Sequence, residues 1–181
     1  KLEYIKSNDG KIKSIIVNGD EIPCEALVLA LGHSSRDTYE MLNSIGIFME
    51  PKAFAIGVRI EHPQEMINVG QYGKMASHPR LQAASYNLTY QSRTLGRGVY
   101  SFCMCPGGVV VAAASEDKRL VSNGMSYHAR NEENSNSALV VTVGPEDFEG
   151  TSVLRGMEFQ RHYESLAYKV GGGNYKAPVQ L

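Results

Sequence analysis

The pattern of apolar and polar positions points first to one apolar stretch in the N-terminal quarter of the chain. Residues 26–31 are all apolar, and the sequence then turns polar. Because the run does not alternate, it predicts a strand buried on both faces, as in parallel or mixed sheets. A helix is predicted next, with Asp37 as N-cap, Glu40 as its reciprocal capping partner and Gly46 after its end. Residues 32–35 are then a tight strand-to-helix crossing.

Three shorter strand-like runs precede that stretch, at residues 2–6, 11–17 and 21–25. They are separated by Asn-Asp-Gly at 8–10 and Asn-Gly-Asp at 18–20, and both separators contain hairpin dipeptides. The sequence therefore predicts a three-stranded antiparallel meander that leads into the buried strand.

A second strand-rich region is predicted after Pro51, beginning with residues 53–61. One face of this strand is apolar, whereas the other begins with small residues and ends with Arg59 and Glu61. A flat surface with a charged end permits the approach of a planar ring, and Arg59 can hold an anionic group bidentately. The alternative is a close sheet-to-helix contact in which Arg59 pairs with Glu61 or another acid.

Alternation with a period of two continues in the second region. Strands are predicted over 84–91, 99–105 and 109–115, and a tight reversal at 106–108 joins the last two. In a regular strand Cys103 and Cys105 project to the same side, about 6.7 Å apart. They are candidate catalytic thiols facing a cofactor or substrate. The alternative is that they are small fillers packed against a neighbouring layer.

Two polar tracts follow, Asn-Gly-Met-Ser at 123–126 and Asn-Ser-Asn-Ser at 134–137. As loops beside buried strands they can offer amides to the edge of a heterocycle, although Asn and Gly are also ordinary turn formers. The cofactor contacts predicted from them are Asn123, Gly124, Ser126 and Asn136. Arg130, between the tracts, is the candidate cation for substrate or phosphate. A helix is predicted within 151–170, ending at Gly171.

Several motifs together resemble a family of bacterial FAD-dependent dehydrogenases that have a two-dinucleotide-binding-domain fold. The motifs are ALGHSSRDT at 30–38, FAIGVRIEH at 54–62, FCMCPGG at 102–108, both polar tracts, and GGGNYKAPVQ at 171–180. In the first motif, Leu31 stands where the family usually has Thr. The resemblance implies that Ala30, Leu31, Gly32 and His33 contact FAD. It also favours redox roles for Cys103 and Cys105, with NAD(P)H as a candidate electron donor, and Arg59 is the third candidate catalytic residue.

The resemblance also bears on domain organisation. No Gly-x-Gly-x-x-Gly sequence opens a βαβ unit in these 181 residues, so the helix N-terminus that receives the FAD pyrophosphate is expected elsewhere. We therefore expect a middle piece of a longer flavoprotein, with an α+β fold and few helices. Residues 1–46 are predicted to belong to its FAD-binding domain, and residues 47–181 to form a mainly antiparallel substrate-type domain.

Composition excludes several other classes. With 18 basic and 19 acidic residues, the chain lacks the basic excess typical of nucleic-acid-binding surfaces. No stretch is long and apolar enough to span a bilayer and no signal peptide is visible, which predicts a cytoplasmic protein without membrane partners. Three cysteines do not form a secreted disulfide framework, and no metal-ligand spacing occurs, so no metal is predicted.

The predicted function is the part of an FAD-dependent oxidoreductase that covers the flavin and shapes a small-molecule substrate site. Its expected partners are that substrate and the remainder of the same polypeptide. The alternative is a non-catalytic docking or binding module, including a relative of the flavoproteins that act on transfer RNA. The net charge of -1 and the absence of a Lys/Arg cluster argue against an RNA-binding role.

Overall fold

The computed structural model describes residues 1–181 as an α+β protein built mainly from antiparallel sheets, which is the predicted fold class. The strands are β1 Leu2–Asn8, β2 Lys11–Val17, β3 Asp20–Pro23, β4 Phe54–Pro63, β5 Thr89–Gln91, β6 Gly98–Cys105, β7 Gly108–Ala113, β8 Val121–Ser126 and β9 Asn134–Val143. The helices are α1 Arg36–Ser44, α2 Gln64–Tyr72 and α3 Arg155–Val170, with short 3₁₀ helices at Gly73–Met75 and Pro145–Asp147.

The predicted meander is present as a three-stranded antiparallel sheet in the order β1-β2-β3. Both of its turns use left-handed backbone, at Asp9 and Gly10 and again at Asn18 and Gly19, with φ between 51° and 87°. Asn, Asp and Gly tolerate this conformation, which is why the two separators could be recognised as hairpin turns.

The apolar stretch at residues 26–31 belongs to no strand, and the prediction of a buried strand there is wrong for this chain. Most of its side chains are exposed, with Val28 at 90% and Leu31 at 40%. A buried strand needs hydrogen-bonded neighbours for its backbone groups, and none of the nine strands pairs with this stretch. The apolar composition therefore marks a segment without a partner among the described residues.

The helix after this stretch forms, but its N-cap lies two residues before the predicted one. Ser35 is the N-cap of α1, and the Asp37 carboxylate accepts a hydrogen bond from the next backbone amide at 2.8 Å. The predicted capping box with Glu40 is therefore wrong, because Glu40 instead accepts a bond from Arg161 on α3 at 2.7 Å. Gly46 follows the helix with a positive φ of 79°, as a terminating glycine does.

A four-stranded sheet in the order β4-β9-β6-β5 forms the centre of the second region. β4 pairs with β9 over ten residues, from Phe54 opposite Val143 to Pro63 opposite Asn134. The polar tract at 134–137 is thus the start of β9, and the tract at 123–126 lies in β8, so both loop predictions are wrong. Neighbouring strands supply the hydrogen bonds that these polar sequences would otherwise find in turns.

The reversal at residues 106–108 carries the chain out of the four-stranded sheet. It does not close a hairpin between β6 and β7, because β7 pairs with β8 in a separate two-stranded sheet. In that sheet Gly108 lies opposite Ser126 and Ala113 lies opposite Val121. This small sheet contacts β9 and β4, and so covers part of the larger one.

The strand predicted over 84–91 is shorter in the structure, where only β5 at its C-terminal end pairs with β6. Before β5, the Leu88 amide donates to Ser101 Oγ at 2.8 Å and the Ser101 amide donates to the Leu88 carbonyl at 2.8 Å. A side-chain oxygen thus replaces one backbone acceptor of the ladder, and the regular strand ends there.

Helix α3, predicted within 151–170, packs on the start of β4 through aromatic side chains. The ring centroids of Phe54 and Phe148 are 5.2 Å apart, and those of Phe148 and Phe159 are 5.3 Å apart. Such pairs stabilise a core by about 0.5–1.5 kcal/mol beyond burial alone. No helix in the structure has the length and apolar character needed to cross a membrane.

A buried arginine connects α1, α3 and the loop after β7. The Arg36 side chain is 3% exposed and bonds to Glu116 at 2.5 Å, to Glu164 at 2.6 Å and to Gln160 at 3.0 Å. Arg161 also bonds to Glu116, at 2.8 Å. The network links three segments that are distant in sequence, and it fixes the approach of the N-terminal region to α3.

Candidate functional site

Three of the predicted site residues meet on one face of the four-stranded sheet. Arg59 Nη1 donates to Asn136 Oδ1 at 2.7 Å, and Gly124 lies against both side chains. Arg59 is opposite Ala138 and Asn136 is opposite Glu61, so both side chains project from the same face of β4 and β9. Arg59 forms no ion pair with Glu61, and the alternative of that pairing is not observed.

Gly124 brings β8 into direct contact with this pair. A Cβ atom at residue 124 would lie 2.0 Å from Asn136 Oδ1 and 2.5 Å from Arg59 Nη1. Glycine allows a backbone to approach a neighbouring layer this closely. Asn136 is 0% exposed under β8, so the predicted contacts from three different parts of the sequence form one enclosed cluster.

Two donors in this cluster have no hydrogen-bond partner, Arg59 Nε and Asn136 Nδ2. An unpaired buried polar group costs about 1–3 kcal/mol, so both donors call for an acceptor. The heterocycle edge of a flavin presents carbonyl oxygens and ring nitrogens, and the donor set fits such an edge. Beside the cluster, Ala55 and Gly57 of β4 are exposed, and a Cβ at residue 57 would lie 1.9 Å from the Leu139 carbonyl oxygen of β9. Because both donors are enclosed, an acceptor reaches them only if β8 shifts.

The two predicted catalytic cysteines lie next to this cluster, at a bulge in β6. The pairing with β9 shifts register between Phe102 and Cys105, and Cys103 has a left-handed φ of 47°. The prediction that both thiols share a face through regular alternation is therefore wrong. Cys103 is exposed, whereas Cys105 is half-buried and its Sγ donates to the Cys103 carbonyl at 3.3 Å. Arg59 Nη1 donates to the same carbonyl at 3.4 Å.

Asn123 and Ser126, the other cofactor contacts predicted in β8, use their side chains locally. Asn123 Oδ1 accepts a bond from the Gly124 amide at 2.8 Å, and Ser126 Oγ donates to the Pro106 carbonyl at 2.7 Å. The first bond lies within β8 and engages the amide of Gly124, and the second ties the end of β8 to the chain reversal.

A cleft with a volume of about 840 Å³ lies between the start of α2 and the loop that follows β8, and predominantly polar side chains line it. Arg130, the predicted substrate cation, is exposed in the loop after β8 and lines this cleft. Arg130 thus lies at a cleft wall and makes no hydrogen bond to the Arg59–Asn136 pair. The structure places the two predicted functional cations at separate positions.

Gln64, which the sequence did not single out, supports one wall of that cleft. It is 6% exposed, and its Nε2 donates to Asn68 Oδ1 and to the Ala84 carbonyl, both at 2.9 Å. Its Oε1 accepts a bond from the Gly107 amide at 2.7 Å. No sequence pattern marks a single glutamine at a strand-to-helix junction, so only the three-dimensional contacts reveal this role.

The predicted FAD contacts at residues 30–33 lie apart from the Arg59–Asn136 pair. They are exposed, and their carbonyls bond to the start of α1, where Ser35 Oγ donates to Leu31 at 2.9 Å and Tyr39 donates to Gly32 at 3.0 Å. Within these 181 residues, no hydrogen bond joins Ala30, Leu31, Gly32 or His33 to Arg59 or Asn136. The structure therefore does not bring these two groups of predicted cofactor contacts together.

A second set of unpaired polar atoms lies on the opposite face of the sheet. His62 Nε2, Tyr86 OH and Ser135 Oγ are enclosed without partners. His62 is opposite Ser135, and its ring centroid is 5.5 Å from that of Tyr86. Burial lowers the pKa of His62 and raises the pKa of Tyr86, so both are neutral near pH 7. Strand alternation, which places His62 on the packed face with Ile60, was the signal for its burial.

Metal-ligand clusters are absent from the described chain, since no three His, Cys, Asp or Glu side chains converge in a way that could hold an ion.

Comparison with known proteins identifies the family. Residues 53–181 match the family described as FAD-dependent protein, C-terminal domain-like. The chain is also 76% identical, over all 181 of its residues, to an uncharacterized protein of Clostridium beijerinckii, and it spans 34% of the length of that relative. The chain belongs to the FAD-dependent protein family, with the C-terminal domain-like region at residues 53–181.

Proposed function

We propose that this chain is the part of a cytoplasmic FAD-dependent oxidoreductase that covers the flavin and shapes the site of a small-molecule substrate. In this proposal residues 1–46 belong to the FAD-binding domain, and residues 47–181 form the substrate-type domain. The observation that supports it most is the meeting of Arg59, Gly124 and Asn136, which come from separate stretches and leave two donors unpaired. The family match supports the involvement of FAD.

FAD, when bound, supplies two-electron transfer between a donor such as NAD(P)H and a substrate. The chain itself contributes position and polarity. In the proposed site a shift of β8 exposes the unpaired N–H groups of Arg59 and Asn136 to an acceptor edge, and the guanidinium would stabilise negative charge there. In this proposal the exposed backbone at Ala55 and Gly57 admits a planar ring, and Arg130, which lines the separate cleft, is the candidate cation for an anionic group of the substrate.

The test is a flavin titration of two proteins, the 181-residue chain and the product of the complete coding sequence that contains it. We expect the chain alone to bind FAD weakly or not at all, because it lacks the glycine-rich pyrophosphate loop. We expect the complete protein to be yellow and to lose its flavin absorbance when NAD(P)H is added without oxygen. One tightly bound FAD per isolated chain, or a complete protein without flavin, would contradict the proposal.

Variants of the complete protein test the role of the cluster. Arg59→Met removes a donor from the proposed flavin edge, and we expect a shifted flavin spectrum and an FAD affinity at least tenfold lower, the equivalent of about 1.4 kcal/mol. Arg97→Met is the matched control, since Arg97 pairs with Asp147 away from the cluster. If the two variants have equal flavin spectra and equal FAD affinities, Arg59 is not part of the cofactor site.

A non-catalytic docking function has one observation in its favour, the exposed apolar stretch at residues 26–31 with Val28 at 90% exposure. Large exposed apolar patches mark interaction sites. The titration separates the two functions, because a docking module leaves NAD(P)H unoxidised and binds no flavin in the complete protein.

A further inference from the structure

A bulge in β6 lies between two free cysteines, Cys103, which is exposed, and Cys105, which is half-buried. In a flat strand, Cys103 and Cys105 would have α-carbons about 6.7 Å apart, at the upper limit for a disulfide. The structure departs from a flat strand here, because the pairing with β9 shifts register and Cys103 adopts a φ of 47°. Cys105 Sγ lies 3.3 Å from the Cys103 carbonyl oxygen, so this side chain folds back toward residue 103.

The conformation of Cys103 is unfavourable for a residue with a side chain. A left-handed backbone costs an L-residue other than glycine about 1–2 kcal/mol. Two groups hold this conformation by donating to the Cys103 carbonyl, Arg59 Nη1 at 3.4 Å and Cys105 Sγ at 3.3 Å. Backbone strain of this kind is concentrated at functional sites, where the surrounding structure maintains it.

The two thiols differ in solvent exposure. Cys103 is exposed and available to a reagent or partner, whereas Cys105 is half-buried, as the resolving cysteine of a redox pair often is. The third cysteine, Cys24, lies outside this strand, just after the meander, and is also half-buried. Cys24 therefore serves as an internal comparison for general thiol reactivity.

We propose that Cys103 and Cys105 form a reversible dithiol–disulfide pair. On oxidation the two S–H bonds break and one S–S bond forms, and two electrons and two protons pass to a two-electron acceptor. The identity of that acceptor rests on the proposed function, in which it is the oxidised flavin. A dithiol reductant restores the thiols in two exchanges: its thiolate attacks the exposed sulfur of Cys103 and releases the Cys105 thiolate, and its second thiol then displaces Cys103 and leaves as the reductant's own disulfide.

The first test oxidises the folded 181-residue chain with diamide, an azo compound that accepts the two electrons and two protons. Trypsin cleaves after Arg97 and Lys118, so both cysteines stay in one peptide, 98–118, and Cys24 falls in another. We expect peptide 98–118 to lose two hydrogen atoms and to regain them with dithiothreitol. Oxidation that only links peptide 98–118 to the Cys24 peptide or to a second chain would overturn the proposal.

The second test uses phenylarsine oxide, which binds tightly only where two thiols can reach one arsenic atom. We expect one equivalent to bind per chain and to protect Cys103 and Cys105, but not Cys24, from alkylation. Cys103→Ser and Cys105→Ser should each lower the arsenical affinity a hundredfold or more, because an intramolecular second ligand is lost. Cys24→Ser is the matched control and should bind like the unmodified chain. Unchanged binding by Cys105→Ser would overturn the pair.

Both tests are carried out without flavin, which separates this inference from the proposed function. A chain that forms no internal disulfide and binds no arsenical overturns the dithiol pair, whatever the complete protein does with FAD. A chain that passes both tests establishes the pair even where the complete protein proves to hold no flavin, in which case the proposed function alone is wrong.

Discussion

Replacement of Gly124 with alanine tests the closest contact in the candidate site. The added Cβ would lie 2.0 Å from Asn136 Oδ1 and 2.5 Å from Arg59 Nη1, and neither atom can easily withdraw. Asn136 is 0% exposed, and Arg59 is held by its bonds to Asn136 and to the Cys103 carbonyl. The substitution therefore either forces β8 away from β9 or breaks the Arg59–Asn136 hydrogen bond.

The change in the free energy of unfolding is a cost in the folded state less a gain from the unfolded state. Overpacking of a tight site costs about 1–3 kcal/mol, and loss of a hydrogen bond to a charged group costs about 1.5–3 kcal/mol. A Gly→Ala change also lowers the conformational entropy of the unfolded chain, which stabilises the folded state by about 0.4–1 kcal/mol. We expect Gly124→Ala to be less stable than the unmodified chain by about 0.5–2.5 kcal/mol, the cost less the gain.

Urea denaturation followed by circular dichroism measures this difference, with Gly70→Ala as the matched control. Gly70 lies inside α2, and a Cβ there would meet nothing within 4 Å, so this variant should gain about 0.5–1 kcal/mol. Adding Arg59→Met to Gly124→Ala should reduce the cost of the alanine, with a coupling of at least about 0.5 kcal/mol. A urea midpoint of Gly124→Ala at or above that of the unmodified chain would refute the claim that a side chain at residue 124 collides with Asn136 and Arg59.

Three further predictions concern stability elsewhere in the chain. Arg36→Met leaves the carboxylates of Glu116 and Glu164 without a shared cation, and we expect a loss of about 3–5 kcal/mol in the same urea assay. Ser101→Ala removes the acceptor of a strand amide, and we expect a loss of about 1–3 kcal/mol and faster hydrogen exchange around β5. Arg161 lowers the pKa of Glu116 from 4.5 to about 2. The stability that this carboxylate contributes is therefore complete above about pH 4.5 and is lost as the pH falls toward 2. An acid titration of Arg161→Met should show a smaller loss of folding stability between about pH 4.5 and 2.

Local sequence signals were sufficient where the structure depends on neighbours in the chain. The meander could be predicted because its turns use Asn, Asp and Gly at left-handed positions. Helix α3 could be predicted from helical periodicity, and β4 from alternation. The residues of each of these elements are enough to predict its conformation.

Sequence patterns gave wrong predictions where segments distant in the chain supply the backbone hydrogen bonds of a strand. The polar tracts at 123–126 and 134–137 look like loops, yet they lie in strands because β7 pairs with the first, and β4 and β6 pair with the second. The apolar stretch at 26–31 looks like a strand, but no other segment of this chain pairs with it. Strand formation is decided by the partner as well as by the sequence of the strand.

The candidate site shows the same division. Arg59, Gly124 and Asn136 were recognisable as polar or small residues at informative positions, and the structure brings them together. The shared face of Cys103 and Cys105 was wrong because a bulge interrupts the alternation, and a bulge leaves no fixed mark in sequence. Gln64 was missed because its three partners come from three different segments.

The buried Arg36 network also constrains how this sequence can change over evolutionary time. Losing the arginine first leaves the Glu164 carboxylate without its cation, because Arg161 pairs with Glu116 and not with Glu164, and losing Glu164 first leaves the enclosed Arg36 with one carboxylate in place of two. Either intermediate is disfavoured, so substitutions at these positions must be acquired nearly together or after stabilising changes elsewhere. We therefore expect positions 36 and 164 to covary among relatives, each relative keeping both charges or replacing both, and position 116 to covary with position 161 as well.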